Sequence, residues 1–204
     1  MNKLSVVIPV YNEEGFIQKT VEAVINSPVN GFKKEIVIID DGSKDGSAKE
    51  IKETEAFFKK KPGVSFKIIL KKKNEGKGAA LKDGFLATTG DIALVQDADL
   101  EYSPEDYPTL LEPFLKHNSD VVYGSRFISN RPHRVLYFWH SQVNIFLTSF
   151  SNMLTNLNIT DMETGYKVFR GSLIREIAPK LVSKRFGFEP EITARISKIK
   201  GIQI

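Results

Sequence analysis

Four apolar runs, residues 4–10, 35–39, 66–70 and 92–96, each end in a polar turn, and each is followed by helical spacing or a helix start. Ile17, Val21, Val24 and Ile25 recur at helical intervals after the first run, and Ile51, Glu55 and Phe58 after the second. Leu81 and Phe85 mark a third helix, closed by Gly90. Ser103-Pro104-Glu105-Asp106 reads as a helix start, with serine as N-cap, proline next and an acid at the third position. Residues 120–124 form a fifth short strand. Such alternation predicts an α/β fold with a mostly parallel sheet, helices on its faces and right-handed crossovers.

Ligands of parallel sheets bind at the carboxyl ends of the strands. Those ends carry Pro9-Val10-Tyr11-Asn12-Glu13, Asp40-Asp41-Gly42-Ser43, Asp97-Ala98-Asp99 and Gly124-Ser125-Arg126. Turn chemistry explains the Gly, Asn and Ser. It does not explain carboxylates at three of these four ends in a chain of net charge +4. Asp97 and Asp99, two apart in extended chain, leave the strand on the same side. Carboxylates about 6 Å apart repel by roughly 3 kcal/mol at an effective dielectric near 20, so a cation is expected between them. Hard oxygen ligands suit Mg²⁺ or Mn²⁺, with a substrate diphosphate as companion, and Glu101 is a candidate third ligand. Neither a P-loop nor a G-x-G-x-x-G fingerprint follows the first strand. Asn74-Glu75-Gly76-Lys77-Gly78 reads chiefly as a tight turn with close helix packing, and less as an anion cradle.

Composition removes other classes. With no cysteine, disulfides and thiolate chemistry are excluded, and the count suits a reducing cytosol. No apolar run approaches the ~20 residues of a membrane span, and no signal peptide is expected at Met1-Asn2-Lys3. Basic clusters at 59–61, 71–73 and 131–134 carry no nucleic-acid-binding motif, so no nucleic-acid partner is expected. Residues 135–160 contain no Asp, Glu, Lys or Arg. There Trp139, Val143, Phe146, Phe150, Met153 and Leu154 follow helical spacing between uncharged polar residues. Flanked by Arg131 and Arg134, that pattern suits either a helix on a membrane surface or one packed across the core.

The strand-end motifs, with Tyr123-Gly124-Ser125-Arg126-Phe127, resemble glycosyltransferase family 2, the inverting enzymes of GT-A fold. Residues 161–170 (DMETGYKVFR) and 186–191 (FGFEPE) resemble its dolichyl-phosphate mannosyltransferase-like branch, which moves a sugar from a nucleotide onto a polyprenyl phosphate. The resemblance implies one GT-A domain over 1–204, with a nucleotide-sugar part in 1–126 and a smaller acceptor part in 127–204. It implies that Pro9, Tyr11, Glu13, Ile39 and Asp41 hold base and ribose, and that Asp97, Ala98, Asp99 and Glu101 surround metal and diphosphate. Arg126 would meet the phosphates where donor and acceptor come together, so Asp97, Asp99 and Arg126 are the catalytic candidates. Relatives carry Gln at the position of Glu101 and often Cys at that of Gly165, which implies that Gly165 is not catalytic. Relatives also continue past Ile204, many with transmembrane helices, so the acceptor part is expected to be truncated here.

A sugar hydroxyl acceptor needs a general base, whereas a lipid phosphate is already an anion and needs cations to position it. Arg126, Arg131, Arg134 and His140 are candidates for the second case; Asp161, Glu163, Glu189 and Glu191 are candidates for the first. The expected reaction is metal-dependent transfer from GDP-mannose or a UDP-hexose to polyprenyl phosphate, by a protein peripheral to the cytoplasmic face of a membrane. Transfer to a hydroxyl, or a catalytically silent nucleotide-binding module, are the alternatives.

Overall fold

The computed structural model describes residues 2–29, 31–99, 101–128 and 137–204. The four apolar runs become β1 (Lys3–Val10), β2 (Lys33–Asp40), β3 (Val64–Leu70) and β4 (Ile92–Val95), all parallel. Helices α1 (Ile17–Asn26), α2 (Ser47–Phe58) and α3 (Lys77–Ala87) join them. Ser103 caps a short 3-10 turn, its hydroxyl accepting the Glu105 N–H at 3.4 Å, and α4 (Tyr107–Lys116) follows. Then come β5 (Val121–Tyr123), α5 (Phe138–Thr155), β6 (Lys167–Arg170), α6 (Gly171–Ile177) and α7 (Phe188–Ser197).

One sheet results, in the order β3-β2-β1-β4-β6-β5. β6 runs antiparallel to both β4 and β5, and it was not among the strands expected from the sequence. Because β6 sits between them, both halves of the chain share this sheet.

Strands buried on both faces explain the continuous apolar runs. Val6, Ile8, Ile36 and Leu94 pack toward α1, α2 and α4; Val7, Val37, Ile39 and Ala93 pack toward α3, α6 and α7. Full burial of a side chain such as Ile8 or Phe85 contributes roughly 2 kcal/mol. Two cores, one on each face, thus hold the strand ends in place.

Candidate functional site

The sheet order reverses between β1 and β4, and a cleft of about 280 Å³ opens beyond their carboxyl ends. Polar links between loops build its floor. Asn12 adopts a left-handed φ of 57°, its N–H donates to Ser43 Oγ at 3.0 Å, and its Oδ1 accepts the Lys44 N–H at 2.8 Å. The Glu13 N–H donates to Ser47 Oγ at 2.9 Å. On the β4 side, Thr20 of α1 donates to the Ala98 carbonyl at 2.6 Å. Gln96 turns away into the core, where its Oε1 accepts Tyr107 OH at 2.8 Å and its Nε2 donates to the carbonyls of Asp97 and Tyr102. These bonds turn Asp97 and Asp99 toward the cleft.

Pro9, Tyr11, Glu13, Asp41, Asp97, Ala98 and Asp99 all line the cleft. Ile39 does not: it is fully buried in the core beneath α3, because its position on β2 alternates away from the site. Glu101 is exposed and absent from the cleft lining, with its N–H donating to Asp99 Oδ1 at 3.0 Å. His140 lies exposed on the first turn of α5, away from the cleft, and Arg131 and Arg134 fall outside the described residues.

Asn74 and Lys77 join the lining and were missed as site residues. Lys77 Nζ lies 2.6 Å from Asp97 Oδ1. The signal available was position: Lys77 opens α3 from a glycine turn beside the acidic strand ends. Packing accounts for the glycines, as the sequence suggested. Gly76 takes φ 102°, and a Cβ there would strike the Lys184 carbonyl oxygen.

Charge in the cleft is unbalanced. Burial, then the charges of Asp99, Asp97 and Asp45, push the Glu13 carboxyl above its ordinary value. Among the described residues, no three His, Cys, Asp or Glu side chains converge to hold a metal. Asp97 and Asp99 instead offer a two-carboxylate edge, and that donor set fits Mg²⁺ or Mn²⁺ completed by diphosphate oxygens and water. Asp41 has a structural task already. Its carboxylate accepts the N–H groups of Glu75 and Gly76, the latter at 2.7 Å, and pairs with Lys71 Nζ at 3.0 Å. It thereby anchors the loop that carries Lys77.

The second half reaches the acids through Gly165. A Cβ there would lie 2.7 Å from Asp97 Oδ2, and its N–H donates to Tyr102 OH at 2.8 Å. Arg126 is absent from the cleft lining and grips buried Asp161 with Nε at 2.7 Å and Nη2 at 2.8 Å. Burial, then the Glu189 charge, raise the Glu163 carboxyl. Burial likewise pushes the Lys167 ammonium down to about 8, and that group donates to the Thr164 carbonyl. Burial opposes ionisation of Glu191 too, but bonds from the Ser183 N–H, Arg195 and the Val182 N–H outweigh it and hold its carboxyl low. Glu191 is therefore a loop anchor.

Helix α5 is turned inside out. Its polar stripe, Ser141, Asn144, Thr148, Ser151 and Asn152, faces the protein, with Thr148 Oγ1 accepting the Met162 N–H at 3.1 Å. Trp139, Val143, Phe146, Phe150, Met153 and Leu154 face outward, with Trp139 75% and Met153 71% exposed. Within this chain, the apolar stripe of α5 is therefore not the face that packs on the core. No described helix is long and apolar enough to cross a membrane.

The model of glycosyl transferase family 2 matches residues 5–178. A dolichyl-phosphate beta-glucosyltransferase of Dictyostelium discoideum is 31% identical over 209 aligned residues, covering 96% of this chain and 62% of the relative. A UDP-N-acetylglucosamine–dolichyl-phosphate N-acetylglucosaminyltransferase of Methanococcus voltae is 29% identical over 190 residues, covering 88% of this chain and 74% of that protein. In structure, a mannosyltransferase from Pyrobaculum calidifontis in complex with GDP-Man and Mn²⁺ superposes with a TM-score of 0.67 at 16% identity. That match covers 98% of this chain and 53% of the other. The chain thus spans 62% of its Dictyostelium relative, and the acid pair at the β1–β4 reversal sits in a GT-A fold. The chain belongs to glycosyltransferase family 2.

Proposed function

We propose that this protein transfers a sugar from a nucleotide sugar to a polyprenyl phosphate, with inversion at the anomeric carbon and with a divalent cation. The observation that carries the reading is the two-carboxylate edge of Asp97 and Asp99, facing one cleft at the sheet's reversal point. Bound there, Mg²⁺ or Mn²⁺ would neutralise charge growing on the departing diphosphate. Pro9, Tyr11 and Glu13 hold the nucleoside end, and Asp41 shapes that end through the 74–77 loop. The donor is GDP-mannose or a UDP-hexose. An acceptor phosphate oxygen attacks the anomeric carbon in line, the bond to the diphosphate breaks, and its electron pair leaves with the nucleotide. No proton has to be removed from such an acceptor. Arg126, locked by Asp161, presents fixed positive charge on that side.

The relatives' names support the lipid phosphate acceptor, and so does α5, whose outward apolar face suits the headgroup boundary of a bilayer. The raised Glu163 carboxyl favours the second reading, a hydroxyl acceptor served by a general base. Assays with GDP-mannose, UDP-glucose and UDP-N-acetylglucosamine against polyprenyl phosphate in vesicles and against soluble sugars separate the two. Product on the lipid alone, surviving Glu163→Gln, is expected. Transfer to soluble sugars alone, lost in Glu163→Gln, overturns the lipid reading.

A further inference from the structure

Lys77 joins a fixed backbone to a long, flexible side chain. The chain around it is clamped: the Gly76 N–H is held by Asp41 at 2.7 Å, and the Ala79 N–H donates to the Lys184 carbonyl at 3.1 Å. A Cβ at Gly78 would lie 2.5 Å from the Ser183 carbonyl oxygen, so α3 has no room to slide. The side chain itself is 42% exposed within the cleft, and its ammonium lies 2.6 Å from Asp97 Oδ1. A lysine stem carries its charge about 6 Å from Cα through four rotatable bonds, so the ammonium can swing while the helix stays still.

The partner it holds is one of the two carboxylates available to a divalent ion. Glu13, Asp97 and Asp99 share one small cleft, and Lys77 supplies the positive charge paired to Asp97 there. A metal reaching Asp97 has to displace that ammonium. Without a new partner, the displaced charge makes metal binding costly. A diphosphate spanning the same edge supplies the partner.

Resting on the donor and metal reading above, we propose that Lys77 is the cation that partners the acid pair whenever no divalent ion is bound. On loading, it passes from Asp97 to the donor's diphosphate as the divalent ion enters. Metal and nucleotide then bind as a linked pair, each improving the other by the same factor. Lys77 is therefore a positioning residue with two addresses, and it disfavours metal loading in the absence of nucleotide.

The test measures free Mn²⁺ by electron paramagnetic resonance while Mn²⁺ is titrated into the wild type, Lys77→Met and Lys77→Arg, each alone and with UDP or GDP. Lys77→Met, close in volume and uncharged, is expected to bind Mn²⁺ alone about tenfold more tightly than the wild type, within the usual range of coupling between sites. Its gain in Mn²⁺ affinity on adding nucleotide should shrink by a similar factor, and Lys77→Arg should stay near the wild type. Unchanged or weaker Mn²⁺ binding by Lys77→Met, with Asp97→Asn losing it, overturns the exchange and leaves the metal reading intact. Mn²⁺ binding unaffected by Asp97→Asn overturns both.

Discussion

Two glutamates near opposite ends of neighbouring strands, Glu35 fully buried and Glu13 partly so, have opposite fates. Glu35, at the start of β2, accepts Lys3 Nζ at 2.8 Å, Ser5 Oγ at 2.5 Å, and both the N–H and the hydroxyl of Thr89 at 2.7 Å. Burial alone would raise its carboxyl, but these donors bring it down to about 2. Glu13, beyond the end of β1, is raised by burial and has Asp97, Asp99 and Asp45 adding to the rise. At one end of the sheet donors surround the carboxylate; at the other, neighbouring carboxylates crowd it, with Lys77 paired to Asp97 among them. A fold that satisfies Glu35 so thoroughly could have satisfied Glu13 as well. The excess of carboxylates at the carboxyl edge is what the proposed divalent cation would offset.

The sharpest way to break that contrast is Asp97→Asn. Transfer should fall by about 10²–10³-fold, the usual cost of losing one preorganised electrostatic contact in a reaction centre. Urea denaturation should show stability within about 0.5 kcal/mol of the wild type, because the lost pairing with half-exposed Lys77 is offset by relief of repulsion from Asp99 and Glu13. A large stability loss would mean that the carboxyl edge is structural after all.

The converse is Glu35→Ala. It strands the buried Ser5 hydroxyl and takes the shared acceptor from Lys3 and from Thr89 at the surface, and should cost about 3 kcal/mol of stability, as leaving buried polar groups unpaired does. The rise in melting temperature on adding nucleotide and Mn²⁺ should keep its size. If the substitution is silent for stability, or abolishes that rise, the division of labour between the two ends fails.

Much of this division was legible in the residues. Parallel strands buried on both faces read as plain apolar runs, so β1 to β4 and their helices could be placed, and the acids at their ends followed. β6 could not be: its four residues begin with Lys167 and end with Arg170, leaving only Val168 and Phe169 as an apolar pair, too short to mark a strand. Burial of Lys167 depends on the Thr164 carbonyl and the Tyr123 ring, contacts made only after folding. Ile39 was misplaced because a motif gives a position in sequence, while strand alternation decides which face receives the side chain. Helix α5 showed its two stripes clearly, but nothing in its periodicity said which one faces the protein.

Acid should sharpen the contrast further. The folded value of Glu35 is about 2, below its ordinary 4.5, so its contribution is complete above about pH 4.5 and disappears as pH falls toward 2. The stability difference between the wild type and Glu35→Gln, followed by denaturation from pH 6 downward, should shrink by about 3 kcal/mol across that window. A difference that stays flat with pH would show that Glu35 is not held ionised by its donors.

Arg126 lies between the extremes, as a charge that is both paired and near the acceptor side. Arg126→Lys keeps the charge but cannot reproduce the two parallel bonds to Asp161. About a tenfold loss of transfer is expected, with the Michaelis constant for lipid phosphate rising more than that for the nucleotide sugar. Equal changes in both constants would place Arg126 outside acceptor positioning.

The sheet's connectivity also sets a timetable for synthesis. β4 meets β1 on one side and β6 on the other, and β5 pairs with β6 alone. While the chain is being made, β1 to β4 leave the ribosome able to pair at once. β5 emerges with no neighbour, α5 follows with its apolar face outward, and only then does β6 arrive to fill the gap. Until that moment β4 shows an open edge, and the loop that brings Gly165 against Asp97 has no anchor. A nascent chain that pairs β1 to β4 before β6 is made would show the open edge of β4 and the apolar face of α5 together.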